Sequence, residues 1–414
     1  MPFELNSGQA KALEMVKKNK FCVLSGSAGT GKTTVTKMIL EWAQKKKLNF
    51  ICCCPSGKAA KRMTEATGYP AATIHKTLNG YVQNGEFVFE KNENDKLTVD
   101  FVIIDESSMV GNSLLSSLFK AISPKTKVLL IGDPRQLPAV QAGKPFLDII
   151  ESRCVPHTSL TETFRFSGDI IKACTAIRDG QHYIPSDILD LESGKNLRHV
   201  ECDNPQQILN IISTLTKERM PERGYDPFWD VQIISPVNEK GLLSCKSINT
   251  RLQNELNPLK SGQKQDDKIF FRPGDKIINI KNREVKTLNG PGYIVNGDMG
   301  EVVRIFNNKM HIKFHDPERE TELPKADKNI LGAYAITCHR MQGSEIPVAI
   351  IPVHSSFGRS LNRAWIYTAI SRGKEIVLTI GQQSAINAAI DNNNSIKRNT
   401  KLQELIIDQF GQDI

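Results

Sequence analysis

FCVLSGSAGTGKTTVTKMILEWA, residues 21–43, decides the fold. It opens on a short, continuously apolar run, Phe21–Leu24, as expected of a parallel strand buried on both faces. It ends on a helical pattern that puts Val35, Met38, Ile39, Trp42 and Ala43 on one face. Between them, Gly26 to Thr33 reads GSAGTGKT and matches G-x-x-x-x-G-K-[ST] without departure, in the strand-then-helix context that the pattern requires. The glycines let backbone N–H groups wrap phosphates, Lys32 is a point charge for the β and γ phosphates, and Thr33 is placed to ligate Mg²⁺. The candidate nucleotide-binding residues are Gly26, Ser27, Ala28, Gly29, Thr30, Gly31, Lys32, Thr33 and Thr34. The bland alternative is a Gly-rich turn that binds nothing.

Further along, Phe50–Cys54, Phe101–Ile104 and Lys127–Ile131 are apolar runs of the same kind, each followed by polar or Gly-rich residues. Ligands bind at that end of strands in an open α/β sheet. FVIIDES, 101–107, ends in Asp105, a candidate for holding Mg²⁺, and Glu106, a candidate for orienting and deprotonating the attacking water. IGDPRQLPAV, 131–140, would set Asp133 and Gln136 beside the γ-phosphate. Three strand-end motifs converging on one cleft point to nucleoside triphosphate hydrolysis with Mg²⁺.

A second α/β set follows: Val231–Ile234, Val348–Val353 and Ile376–Ile380. Residues 262–330 differ in texture. Short alternating strands separated by Asn-Gly, Gly-Asp and Asn-Asn turns predict a small antiparallel β-barrel inserted into the second domain. YVQNGEFVFE, 81–90, predicts a hairpin about Asn84-Gly85, projecting between two strands of the first set.

Composition fits this division. The chain has 414 residues, room for two to three domains at about 150 residues each, and 39% hydrophobic residues, which with its 28 glycines make about 46%, an ordinary globular share. No apolar run reaches membrane-spanning length and no secretory signal is visible, so the expected location is cytoplasmic. The formal charge of +9 suits a polyanion partner without requiring one. The nine cysteines form no C-x-x-C pair. Cys52, Cys53 and Cys54 alternate faces of one strand, which favours buried thiols over a shared metal.

Taken together, GSAGTGKT, IIDES and GDPRQLPAV resemble the superfamily 1 helicases, specifically the RecD-like and phage Dda-like DNA helicases, and the likeness runs over nearly the whole chain. Gln9 in LNSGQAKAL matches a glutamine that reads adenine. CPSGKAAKRM, 54–63, and TIHKTL, 73–78, resemble DNA-contacting motifs and implicate Pro55, Ser56, Lys58, Thr73 and His75. LTETFRF puts Arg165 where the family has a γ-phosphate arginine. AITCHRMQGSE, 335–345, resembles the motif coupling DNA to nucleotide, implicating Thr337, His339 and Gln342 for DNA and Gly343 and Glu345 for nucleotide. WIYTAISRGKE, 365–375, puts Arg372 at the arginine finger. The hairpin falls where relatives carry a pin that splits the duplex, and Phe87 and Phe89 share one of its faces.

Each residue also has a plainer reading. Arg165 and Arg372 could make surface ion pairs, Lys58 and Lys61 a solvated helix face, and His75 a locally satisfied helix start. Thr337 could be a strand residue, and the two phenylalanines could pack the hairpin onto its own domain.

The resemblance implies two RecA-like P-loop domains, α/β in class. The first covers 1–155, with the pin at about 79–97; the second covers 156–261 and 331–414; an SH3-like barrel at 262–330 is inserted in it. It further implies 5′-to-3′ movement on single-stranded DNA and strand separation at single-strand/duplex junctions. Single-strand-binding or replisome proteins are the implied partners, and a monomer suffices. The chain opens at its glutamine motif, near the phage Dda-like proteins in length, which implies a minimal motor rather than a subunit of a recombination complex. The alternatives are a single-strand translocase or protein-displacing ATPase without productive unwinding, an ATP-switched nucleic-acid-binding module, and an RNA helicase.

Overall fold

In the computed structural model the chain falls into two units, Met1–Phe166 with Asn393–Ile414, and Ser167–Asn392. The structure describes residues 6–27, 29–83, 86–162, 168–259, 271–287, 290–315, 318–341, 343–394 and 398–411. No helix among the described residues is long and apolar enough to cross a membrane.

The first unit contains β1 (Phe21–Gly26), β2 (Phe50–Cys54), β3 (Ala71–Thr73), β4 (Gly80–Gln83), β5 (Glu86–Phe89), β6 (Phe101–Ile104), β7 (Lys127–Gly132) and β8 (His157–Leu160). Six of them form a parallel sheet in the order β3-β2-β6-β7-β1-β8, and β4 and β5 pair as an antiparallel hairpin. The apolar runs are strands because both their faces are buried. Cys22, Leu24, Cys52, Cys54, Phe101, Ile103, Leu129 and Ile131 enter one core cluster. The alternate residues Val23, Cys53, Val102, Ile104, Val128 and Leu130 enter the other. Each fully buried side chain of this size stabilises the fold by about 1.5–3 kcal/mol. Helix Lys32–Lys45 covers the first cluster with Val35, Ile39, Leu40 and Ala43, while Trp42 is half-buried at its edge.

The second unit contains β9 (Leu197–Glu201), β10 (Val231–Ser235), β11 (Lys276–Asn279), β12 (Arg283–Thr287), β13 (Gly290–Ile294), β14 (Met299–Phe306), β15 (Lys309–His315), β16 (Glu318–Pro324), β17 (Ile330–Gly332), β18 (Ala335–Thr337), β19 (Ile346–Val353) and β20 (Gly373–Gly381). Five form a parallel sheet in the order β18-β10-β19-β20-β9. The inserted strands form a seven-stranded antiparallel sheet, β13-β12-β16-β15-β14-β11-β17, around Ile277, Ile294, Val302, Met310, Ile312, Phe314, Leu323 and Ile330. Among the described residues β13 and β17 stand at the two ends of this ladder.

Buried polar groups tie the insertion to its parent domain. Asp275 accepts from the Arg272 amide at 2.7 Å, from Asn257 at 2.8 Å and from Gln253. Asn249, in the parent domain, donates to the Gly332 carbonyl in β17 at 3.2 Å.

Two expected domain limits need correction. Residues 156–166 belong to the first unit, because β8 pairs with β1 from Val23 to Gly26. β8 alternates exposed and buried residues, as an edge strand does, so it carries no continuous apolar run. Residues 393–414 also belong to the first unit, where helix Leu402–Phe410 lies against helix Pro145–Ser152.

Candidate functional site

Strand register brings the three first-unit motifs to one sheet edge. Ser25 stands opposite Gly132, and Ile104 opposite Leu130 two residues below, so GSAGTGKT, the Asp105-Glu106 turn and the GDPRQ turn all leave the sheet at its carboxyl end. The loop after β1 turns through Gly29 and Gly31, both at φ +79, a backbone region that L side chains rarely adopt. A Cβ on Gly26 would lie 2.5 Å from Thr30 Oγ1, so that position too requires glycine. Thr30 donates to the Ser27 carbonyl at 2.8 Å. Lys32 begins the helix and donates from Nζ to the carbonyls of Gly26 at 2.6 Å and Ser27 at 2.9 Å. Thr33 and Thr34 follow in its first turn. Ala28 lies outside the described residues.

Asp105 accepts from the Glu106 amide at 2.8 Å, and its own amide donates to the Cys53 carbonyl at 3.0 Å. Burial, then the charge of Glu106, raise the Asp105 pKa to about 6, while the charges of Lys32 and Arg62 pull the other way. Lys32 and Asp105 therefore share one electrostatic neighbourhood. Arg62, in CPSGKAAKRM, is a member that the sequence reading missed. Glu106 has φ +53, left-handed backbone that is uncommon outside glycine and asparagine. Asp133 is buried and shapes its turn by accepting from the Arg135 amide at 3.0 Å, with Gln136, also buried, one residue on.

The glutamine motif has a structural job. Asn6 and Gln9 form a capping box: the Gln9 amide donates to Asn6 Oδ1 at 2.8 Å, and the Asn6 amide donates to Gln9 Oε1 at 3.2 Å. Ser56 and Thr73 cap helices in the same way, accepting from the amides of Ala59 at 3.2 Å and Lys76 at 3.1 Å. Pro55 precedes the first of these caps, and Lys58 is the second residue of helix Gly57–Thr67. His75 lies in the short helix Ile74–Thr77, its pKa lowered by burial.

Phe89 was expected to share a duplex-stacking face with Phe87, but its ring is seated against its own domain. It lies 5.8 Å from the His75 ring and packs on the core, opposite Gly80 in the hairpin register. The Phe87 side chain lies outside the described set.

In the second unit, two motifs meet. Arg372 is buried and donates from Nη1 to the Ser344 carbonyl at 3.3 Å. Its carbonyl accepts from Ile346 at 2.9 Å, and Lys374 lies 3.9 Å from Glu345. Gly343 turns at φ +77. Thr337, buried, stands opposite Ser235 at the carboxyl end of its sheet, whereas Glu345 immediately precedes β19. The segment 338–345 therefore runs from one edge of the sheet to the other, with His339 exposed along it. Arg165 and Gln342 lie outside the described residues.

The family described as an AAA domain matches residues 4–201, and the UvrD-like helicase C-terminal domain matches residues 332–378. The chain is 32% identical over 405 residues to an ATP-dependent RecD2 DNA helicase of Deinococcus radiodurans, a match covering 97% of this chain and 52% of that protein. It is 26% identical over 418 residues to the RecBCD enzyme subunit RecD of Mycolicibacterium smegmatis, covering 92% of this chain and 72% of that one. Among solved structures, a Pif1 helicase from Bacteroides in complex with ADP-AlF3 and ssDNA shares the fold, with a TM-score of 0.56 at 19% identity over 91% of this chain and 92% of that chain. The chain spans about half the length of the Deinococcus relative.

Proposed function

The chain belongs to the RecD-like group of superfamily 1 helicases, and on that footing we propose that it is an ATP-hydrolysing motor. In this reading it moves 5′ to 3′ on single-stranded DNA and separates duplex at the β4–β5 hairpin. The observation that carries it is the convergence of Lys32, Asp105 and Gln136 on one sheet edge, with Lys32 close enough to act on the Asp105 charge.

The residues present suit a magnesium nucleotide. A glycine loop offers backbone amides, an ammonium lies within that loop, and a carboxylate held by a backbone amide stands nearby. Thr33 and Asp105 would hold Mg²⁺, which would neutralise charge on the phosphates. Lys32 binds the phosphates, Glu106 orients the attacking water and takes its proton, and Gln136 responds to the γ-phosphate. Arg372 supplies a planar, permanently charged fork to the same phosphate, and Arg165 is assigned a like role. The 338–345 segment couples the two events, since its ends lie at opposite sheet edges. Thr337 and His339 then belong to the DNA side and Gly343 and Glu345 to the nucleotide side. The insertion acts as an SH3-like module guiding the strand.

A second reading is favoured by one observation: the inward seat of Phe89. A hairpin that spends an aromatic on its own domain suits a translocase that strips proteins from the strand without opening duplex. Two partial duplexes, one 5′-tailed and one 3′-tailed, separate the readings, with Lys32→Ala as control. Unwinding of the 5′-tailed duplex alone, lost in the control, supports the helicase. Single-strand-stimulated hydrolysis without unwinding supports the translocase. Neither activity would discard both.

A further inference from the structure

Residues 398–411 return to the first unit at one place, the stretch of chain that leaves the GDPRQ turn. Arg398 donates from Nη1 to the carbonyls of Gln141 at 2.7 Å and Gly143 at 2.8 Å. Two residues on, the Thr400 hydroxyl donates to Asp148 Oδ2 at 3.0 Å, and Asp148 is fully buried. Helix Leu402–Phe410 then follows helix Pro145–Ser152, with Ile406 packed against the core.

The loop so held is gripped from its other side as well. The Asn112 amide donates to the Ala142 carbonyl at 3.1 Å. Gly143 turns at φ +88, and a Cβ there would lie 2.2 Å from the Asn112 side-chain oxygen. Asn112 follows Asp105-Glu106 through the single turn Ser107–Met109. A short loop, 137–144, is thus fixed between the chain leaving the two carboxylates and the chain at 398–400. Gln136 is the residue at its root.

We propose that Arg398 and Thr400 form a strap that positions Gln136 for nucleotide hydrolysis, a role carried by two residues that belong to none of the chain's nucleotide motifs. The inference rests on the reading of Gln136 as part of the hydrolytic set. Two carbonyls turned toward one point need a donor there. Without it the loop regains backbone freedom that folding had removed, and Gln136 moves with it. A displacement on the order of 1 Å at such a group costs up to about 10²-fold in rate.

The test is steady-state ATP hydrolysis by the full chain with single-stranded DNA, alongside melting temperatures. Arg398→Ala is expected to lower kcat about tenfold with KM for ATP unchanged. Thr400→Val, which removes the bond to Asp148 and the one accepted from the Leu402 amide, should lower kcat in the same direction. Arg398→Lys should restore it, because both bonds leave one nitrogen and an ammonium can make both. Leu405→Ala, on the exposed face of the same helix, should leave kcat unchanged. A wild-type rate in Arg398→Ala overturns the strap alone. So does a loss that merely tracks the folded fraction and that Lys does not restore. A wild-type chain that hydrolyses no ATP overturns the hydrolytic reading and the strap with it.

Discussion

The backbone amide of Glu106 donates to Oδ1 of Asp105 at 2.8 Å, and the same Glu106 sits in left-handed backbone at φ +53. The strand end thus uses one residue both to hold the carboxylate before it and to turn the chain.

Asp105 gives the first prediction. Its carboxyl is raised from 3.8 to about 6 by burial and by Glu106. Between those values the folded chain binds a proton that the unfolded chain lacks, so the ionised group opposes folding increasingly as pH rises through that window, and fully above it. Asp105→Asn should raise the melting temperature relative to wild type at pH 8 but not at pH 4, while removing Mg²⁺-dependent hydrolysis. The wild-type rate should climb through about pH 6 and level off above it. A profile flat from pH 5 to 8 would remove the group from the reaction.

Glu106 gives the second. Left-handed backbone at a residue other than glycine costs of order 1–3 kcal/mol, and glycine adopts it freely. Glu106→Gly should therefore keep or raise the melting temperature, whereas Glu106→Gln should leave it near wild type. Both should lower kcat by about 10²–10⁴ while nucleotide binding, followed by a fluorescent ATP analogue, survives. A Gly variant that is active, or that melts well below wild type, contradicts this account.

Arg372 gives the third. Arg372→Ala takes away the donor to the buried Ser344 carbonyl and, in the proposed role, the charge offered to the phosphate. Hydrolysis should fall by about 10³ or more, with a stability loss of about 1–3 kcal/mol from the carbonyl left behind. Arg372→Lys should recover most of the stability and little of the rate, since an ammonium lacks the planar fork. Equal recovery of both would reduce Arg372 to a structural residue.

What could be read from sequence, and what could not, divides along physical lines. β1, β2, β6 and β7 were legible because both faces of each are buried, which writes a continuous apolar run ending at a motif. β3, β8 and β9 were not, being edge strands of their sheets that are short or half exposed. Gln9, Ser56 and Thr73 hid a second role, because a side chain that caps a helix is also of the type that meets a ligand. The local signal was present: Asn6 and Gln9 stand three apart, as a capping box requires. The return of residues 398–411 to the first unit left no local signal, because it depends on carbonyls of Gln141 and Gly143 that no side-chain pattern encodes.

The insertion carries the fourth prediction. Asp275 is buried at its root and gathers donors from Arg272, Asn257, Gln253 and, at 3.3 Å, Tyr334. Asp275→Ala leaves several buried donors unmatched, a cost of about 3 kcal/mol or more. Because these groups join the insertion to the helix Cys245–Leu256, limited proteolysis should begin to cut within 276–332 before the rest of the chain. Cleavage that stays uniform along the chain would show that the junction is not what holds the insertion.

The hairpin carries the last. Phe89 lies over Gly80, where a Cβ would come within 2.9 Å of the ring, and its ring centroid is 5.8 Å from that of His75. Phe89 is thus the hairpin's foot, and Phe89→Ala should lower stability by about 2 kcal/mol, below the full core value because the ring is half-buried. Deletion of residues 82–88 removes the hairpin tip and leaves that foot. Under the pin reading it should spare single-strand-stimulated ATPase and abolish strand separation. Under the translocase reading, wild type and deletion should hydrolyse ATP alike and neither should open duplex. Unwinding that survives the deletion would contradict the pin outright, because the hairpin would then be absent from the step it was assigned.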